Sequence, residues 1–337
     1  ERKTLKYSYA GEFGRGIFAA LCSEFTLVVA ISYFGVKDTT LIWILASAPY
    51  LGMLVAVLGV TQIERHRKKS VVLSVELVSR VFAIIAAFCT NGLAFTLAMA
   101  VAIAGSSLGV PLVSGIYGEN FDRSVRGRAV SRLQAIQVAI LATMAALAGA
   151  ILGHDAALFR YILVAVSLVS MGCSFIANRL PERRPKPSSG PPRILSLATL
   201  LWKDRVFAYV ELIWFIIGFC NLWLVPMRVL HLVEIGMDNF HIMIATTAVM
   251  NATQVLTLRF WGIFLYRINF AVYRIIVGLL FVVALPIFFY GETFPVVCLG
   301  AFLWGTGLAG GALSWGLVGT FFTTSERLPD YMCIHSF

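Results

Sequence analysis

Charge is what this sequence has least of. Asp, Glu, Lys and Arg make up 13% of 337 residues, and only 17 of them are acidic. Soluble domains carry about 25% charged residues, so a water-facing fold of this size could not cover itself. Cysteine offers no alternative framework: the six cysteines form no CxxC pair and fall mostly inside apolar runs, which argues against a disulfide scaffold or a zinc site. The five histidines have no ligand spacing. The one glycine-rich stretch, Gly305 to Gly311, is not followed by the Lys-Ser/Thr that cradles a nucleotide phosphate, so it reads as helix packing. His, Asp and Ser do not gather at one depth as an intramembrane transferase would need. An enzyme is not expected, and neither is a cofactor other than an ion gradient. No small-residue cleavage site follows the first apolar run, so no removable signal peptide is expected. The chain opens on Glu1, which suggests that further residues precede it.

What is abundant is apolar surface. Hydrophobic residues are 59% of the chain and mean hydropathy is +0.85. A bilayer-spanning helix takes about 20 apolar residues. Runs of that length lie near 14–34, 40–60, 71–90, 93–117, 129–152 and 157–177, then near 206–229, 241–260, 270–290 and 293–322. The expectation is an all-α polytopic transmembrane bundle of about ten spans. Residues 1–177 form a six-helix bundle, 178–205 a basic Pro/Ser-rich linker, and 206–337 a second bundle. Proline fixes φ and removes donors, so the linker is not helical until a short amphipathic segment near 195–202.

The formal net charge is +10. The bases cluster at the N-terminus, after span two, after span four, in the linker and after span eight, while the alternate loops are nearly bare. This is the pattern of loops retained on the cytoplasmic side of a plasma (cell inner) membrane. It places the N-terminus and the linker in the cytoplasm. The bases lack the aromatic interleaving of a nucleic-acid face, so the partners expected are the lipid bilayer and a small-molecule solute, with the protein monomeric.

The two bundles repeat each other. Gly115 to Arg123 after span four aligns without a gap with Gly319 to Arg327 after span ten, and Glu64-Arg65 has its counterpart in Tyr266-Arg267. Internal repeats are common in secondary transporters, where the binding site lies between them at mid-membrane. With Gly59 and the Glu64-Arg65-His66-Arg67-Lys68-Lys69 loop, Gly262 before Tyr266, and the Asp122-Arg123-Ser-Val-Arg126-Gly127-Arg128 loop, the chain resembles the major facilitator superfamily. It departs from that family's signature loop by one extra residue and by Arg67 in the glycine position. The resemblance implies pseudo-symmetric halves, twelve spans of which ten are present, and hence a chain truncated after the tenth. It also implies gating loops in which Glu64, Arg65, Arg126, Arg128, Tyr266 and Arg267 tie neighbouring helices together in one access state, such as a latch from Glu64 to Arg126 or Arg128.

Ionisable residues at mid-bilayer cost about 2.5–3.5 kcal/mol each on insertion scales, so each needs a reason. Glu24, central in span one, either couples proton movement to solute or bonds a neighbouring helix. Glu76 and Arg80, at i, i+4 on span three, either neutralise each other or face the cavity, where Arg80 would take an anion. Gln134 with Gln137, and Asn251 with Gln254, at i, i+3 in opposite bundles, suit either helix packing or a cavity for a polar solute. On span seven, Asn221 is the cavity candidate, Glu211 is expected to snorkel to water, and Arg228 to sit at the membrane interface. The function these residues point to is secondary transport by alternating access, in the form of proton-linked symport. The alternative is a transporter fold serving as a receptor or assembly factor.

Overall fold

In the computed structural model of the chain, residues 2–63, 68–121, 123–181 and 200–317 are described, together with Phe322, Tyr331 and His335. Among them helices predominate and no strand occurs. Backbone polar groups cannot find water inside a bilayer, so a helix that satisfies its own is the economical solution.

The helices follow the apolar runs. Span one is α1 (Arg2–Ala20), a π-helical turn (Leu21–Phe25), the short α2 (Thr26–Val28) and a second π-helical turn (Val29–Tyr33). Then come α3 (Thr39–Ile63), α4 (Lys68–Ala87), α5 (Gly92–Asn120), α6 (Arg123–His154) and, after a 3-10 turn, α7 (Phe159–Ala177). Beyond the linker lie α8 (Arg205–Glu234), α9 (Asn239–Met243), which runs through a π turn (Ile244–Val249) into α10 (Met250–Arg267), then α11 (Phe270–Phe289) and α12 (Phe294–Leu317). Among the described residues, eight helices are long and apolar enough to cross a membrane. Of the other expected spans, α3 contributes a shorter apolar stretch, Thr39–Val55. The eighth is α9, the π turn and α10, whose hydropathy is diluted by Thr246, Thr247, Asn251, Thr253 and Gln254.

Side chains written into the turns set the helix starts. Asn91 accepts from the Ala94 N–H at 2.7 Å before α5, Asp204 from Phe207 at 3.0 Å before α8, and Asp238 from His241 at 2.8 Å before α9. Each satisfies one of the donors that an N-terminus leaves free. Between α8 and α9 the chain turns through Gly236 at φ +80°, a left-handed conformation that suits glycine.

Within the first six spans α1 packs on α6 and α7, α4 on α5 and α7, and α3 on α5. In the last four, α12 packs on α10 and α11. The two groups meet mainly where α6 lies against α9, the π turn and α10, and where α3 meets α8. These contacts include the end of the bundle remote from the linker, the far end. There Gly149 and Gly153 on α6 bring the backbone against Met243 and Phe240: an added Cβ would fall 2.7 and 2.9 Å from theirs. Asn239 Nδ2 donates to the Leu152 carbonyl at 3.4 Å. Trp43 of α3 and Trp223 of α8 pack at a tilt with ring centroids 4.3 Å apart.

Candidate functional site

Both groups of spans contribute a break in helical regularity at the level where they touch. In span one the backbone leaves helical geometry at Ser23 (φ −91°, ψ −143°) inside the first π turn. In the last four spans the break is the π turn Ile244–Val249, flanked by helical backbone at Met243 and Met250. A π turn frees carbonyls, and hydroxyls recover them: Ser23 Oγ donates to the Ala20 carbonyl at 2.9 Å, Thr26 Oγ1 to Leu21, and Thr246 Oγ1 to Ile242 at 2.7 Å. The result aims Glu24 from one turn at Thr247 from the other.

Glu24 is 7% exposed, and both its oxygens are engaged across the boundary. Oε1 accepts from Arg228 Nη2 at 2.8 Å and Oε2 from the Thr247 hydroxyl at 2.9 Å. Arg228 is 6% exposed; its Nη1 meets the Met250 sulfur, and its guanidinium carbon lies 4.9 Å from the Trp304 ring centroid. The expectation that Arg228 sits at the membrane interface is corrected. Its apolar run ends near 229, but α8 continues to Glu234, which carries the guanidinium inside, against Glu24.

Directly beside this pair lies a cavity of about 320 Å³ between span one, α3, α5 and α8. Glu24, Cys22, Ser23, Thr26 and Leu27 line one wall; Leu45, Ala46, Pro49, Tyr50 and Met53 of α3 line another; Ile103 and Val225 complete it. Arg228 is not among its lining residues.

A second buried polar cluster sits within the first six spans. Arg15 Nη2 pairs with Glu12 Oε1 at 2.8 Å and its Nη1 with Glu76 Oε1 at 3.2 Å. Tyr117 of α5 donates to Glu12 Oε1 at 2.6 Å, and Ser174 of α7 donates to Glu76. Two arginines and two glutamates, counting Arg80, leave the cluster neutral. The Glu76 carboxylate pairs directly with Arg15 while also facing the charge of Arg80, so the neutralisation expected of Glu76 and Arg80 is shared with a third residue. Arg80 donates instead to the Glu76 backbone carbonyl at 3.2 Å and to Ser170 Oγ at 3.0 Å, with its guanidinium 4.3 Å from the Phe18 ring centroid. Neighbouring helices supply partners to both side chains: Arg15 and Ser174 to Glu76, Ser170 and Phe18 to Arg80.

The amides are scattered. Asn251 is half-buried and donates back to the Thr247 carbonyl at 2.8 Å, fixing the π turn. Gln137, Asn221 and Gln254 are half-buried and Gln134 is exposed; none of the five amides lines the cavity beside Glu24. Glu211, expected to reach water, is half-buried and meets His335 Nδ1, 3.0 Å from each carboxylate oxygen. Among the gating candidates, Glu64 and Arg65 lie outside the described residues, as does the segment near 195–199. Arg126, Arg128 and Tyr266 lie in helices whose side chains at those positions are not described, and Arg267 is exposed at the end of α10. Glu12, Arg15 and Tyr117 are buried cluster residues that the sequence reading does not single out. The Glu12–Arg15 spacing of i, i+3 across the start of the first run is the signal that could have found the first two.

The sequence model of the Major Facilitator Superfamily matches residues 15–331. No curated protein matches the chain by sequence. Among solved structures, the nucleoside transporter NupG superposes with a TM-score of 0.71 at 12% identity, covering 100% of this chain and 88% of that one. A D-xylose-proton symporter gives 0.66 at 12% identity over 99% and 86%. The inward open conformation of the xylose transporter XylE from E. coli gives 0.65 at 12% identity over 98% and 86%. At such identities the likeness establishes the fold. The family match spans nearly the whole sequence, and with it the chain belongs to the major facilitator superfamily, a multi-pass membrane transporter rather than an enzyme.

Proposed function

We propose that this protein is a secondary transporter working by alternating access, with proton movement coupled to solute through Glu24. The observation that carries the reading is the buried Glu24–Arg228 pair, which joins the first six spans to the last four beside a cavity of solute size. A buried carboxylate whose partner lies on the other group of helices links protonation to the association of the two groups. Neutralising it removes the attraction and leaves Arg228 a buried, unpaired charge. Protonation of Glu24 therefore favours separation at the far end, and deprotonation favours closure.

The alternating positive loops support an orientation with the N-terminus and linker in the cytoplasm of a plasma membrane. In that orientation the far end faces outward, and the described state is closed toward the outside. The cavity then belongs to an inward-facing conformation. The gating loops and the half-buried amides Gln137, Asn221, Asn251 and Gln254, with Gln134, Glu76 and Arg80, take the roles of helix ties and supporting shell in this scheme. The division into bundles 1–177 and 206–337, moving about the linker 178–205, supplies the rocking bodies. The protein acts as a monomer.

The test is transport in reconstituted vesicles carrying a pH gradient, screened with labelled metabolites. The wild type accumulates its solute uphill, and a protonophore abolishes the accumulation. Glu24→Gln retains downhill exchange and loses uphill accumulation. Undiminished gradient-driven accumulation by Glu24→Gln sinks the coupling role.

A further inference from the structure

At the linker end of the first six spans, a second and much smaller cavity lies beside the Arg15–Glu76 pair, about 20 Å³ in volume. A void of about 10–15 Å³ already admits one water-sized species. Its polar lining comes from four helices: Arg15 of α1, Lys69 and Glu76 of α4, Tyr117 of α5, and Ser174 of α7 with Asn178 just past its end. The remaining walls are apolar, Val72, Val113, Ile116 and Leu180 among them. Charge decides what this space accepts. Glu12 and Glu76 answer Arg15 and Arg80, and Lys69 adds a further base that meets no carboxylate among the described residues. Two acids therefore face three bases. Donors are left over as well. A guanidinium has five N–H groups, and Arg15 makes two hydrogen bonds to Glu12, one to Glu76 and one to the Tyr117 oxygen, which leaves one Nη1 hydrogen. Lys69 keeps its own donors, with no partner among the described residues. Asn178 has a buried Oδ1 without a partner, and turning that amide over presents its Nδ2 hydrogens instead. The acceptors are already engaged: Glu76 Oε1 takes a hydrogen from Arg15 and Oε2 takes one from Ser174, while the Tyr117 hydroxyl hydrogen goes to Glu12.

We infer that this cavity is a binding site for a single chloride ion, held between Lys69 and Arg15 with the Asn178 amide turned toward it. The inference goes beyond the transport reading and does not depend on it. A charge left uncompensated beside apolar walls is costly; a water molecule in the cavity would leave it so, and a cation would add to it. A monovalent anion makes the sum of charges zero and takes up the spare hydrogens of Arg15 and Lys69. The small volume excludes phosphate, sulfate and carboxylic acids, and the apolar walls favour an ion that sheds its water readily. Arg15 stands on α1, Lys69 on α4 and Asn178 at the end of α7, so the bound ion ties together the linker ends of spans one, three and six.

The experiment is the melting temperature of the purified full chain in nanodiscs of zwitterionic lipid, with gluconate replaced stepwise by chloride at constant ionic strength. Binding to the native state raises the melting temperature by mass action, so it should climb with the logarithm of chloride concentration, by a few degrees over about a hundredfold range. Bromide should act as chloride does. Lys69→Met, which keeps the aliphatic stem and removes the surplus charge, should flatten the response. Lys68→Met makes the same change of net charge at a position outside the cavity lining and should leave the response intact. The chloride NMR linewidth covers the case in which Lys69→Met does not fold: the wild type should add broadening, relative to empty nanodiscs, that saturates and that bromide competes away. A melting temperature indifferent to the exchange of gluconate for chloride overturns the inference. So does a chloride response that survives Lys69→Met or that Lys68→Met abolishes equally, and so does a linewidth no broader than that of empty nanodiscs.

Discussion

At the scale of single residues, Glu24 and Arg228 are each explicable only through the other. Taking one charge out of a buried pair strands its partner, at a cost of about 3–5 kcal/mol. Arg228→Met and Glu24→Gln should therefore each lower the melting temperature of the purified protein, while the double variant recovers much of the loss. Additive losses in this cycle would mean that the two groups do not interact. Arg80 makes a different demand. It donates from Nε and Nη1 and presents its plane to Phe18, which a lysine ammonium cannot reproduce. Arg80→Lys should cost about 1.5–3 kcal/mol, the worth of a charged hydrogen bond, with a lower melting temperature at unchanged helix content. The sequence marks Glu24, Glu76 and Arg80 because apolar runs make charges conspicuous. It misplaces Arg228, and leaves Glu12 as a flank, because a run of apolar residues is shorter than the helix that contains it.

At the scale of elements, the close approach of α6 to the start of span eight depends on Gly149 and Gly153. A side chain at 149 meets the Met243 Cβ at less than van der Waals distance, so Gly149→Val should hold the two groups apart. A cysteine placed at Leu152, 2% exposed in the closed form, should then react faster with a membrane-impermeant maleimide; an unchanged rate would contradict the packing. The loop before α9 adds a pH dependence of its own. Burial works to raise the Asp238 pKa, but the His241 backbone N–H, its ring and the Phe240 N–H outweigh it and hold the carboxyl below its usual value. A depressed folded pKa contributes stability above the unfolded value and loses it as pH falls through the folded one. Melting temperature should accordingly drop on acidification below about pH 4, and less steeply in Asp238→Asn, which keeps the cap without the titration. Helix positions and N-caps of this kind are legible in sequence, since periodicity, length and Asn or Asp before an apolar run are local signals. The π turns at Leu21–Phe25 and Ile244–Val249 are not, because apolar periodicity does not report a local change in helical hydrogen bonding.

At the scale of the whole molecule, the family and the all-helical fold were readable from apolar runs, alternating basic loops and degenerate repeats. Those features report on the bilayer, which acts on every span alike. The cavity's charge was not readable, because it depends on which side of Glu24 Arg228 occupies. On the proposed mechanism, protonation of Glu24 controls closure at the far end. Spin labels on cysteines at Lys37 and Glu292, both exposed at that end on opposite groups of spans, in a background without the native cysteines, measure it directly by pulsed dipolar spectroscopy. At neutral pH the wild type should give one short distance, and acidification or Glu24→Gln should add a longer population. Distance distributions that stay identical across pH and across Glu24→Gln would contradict it.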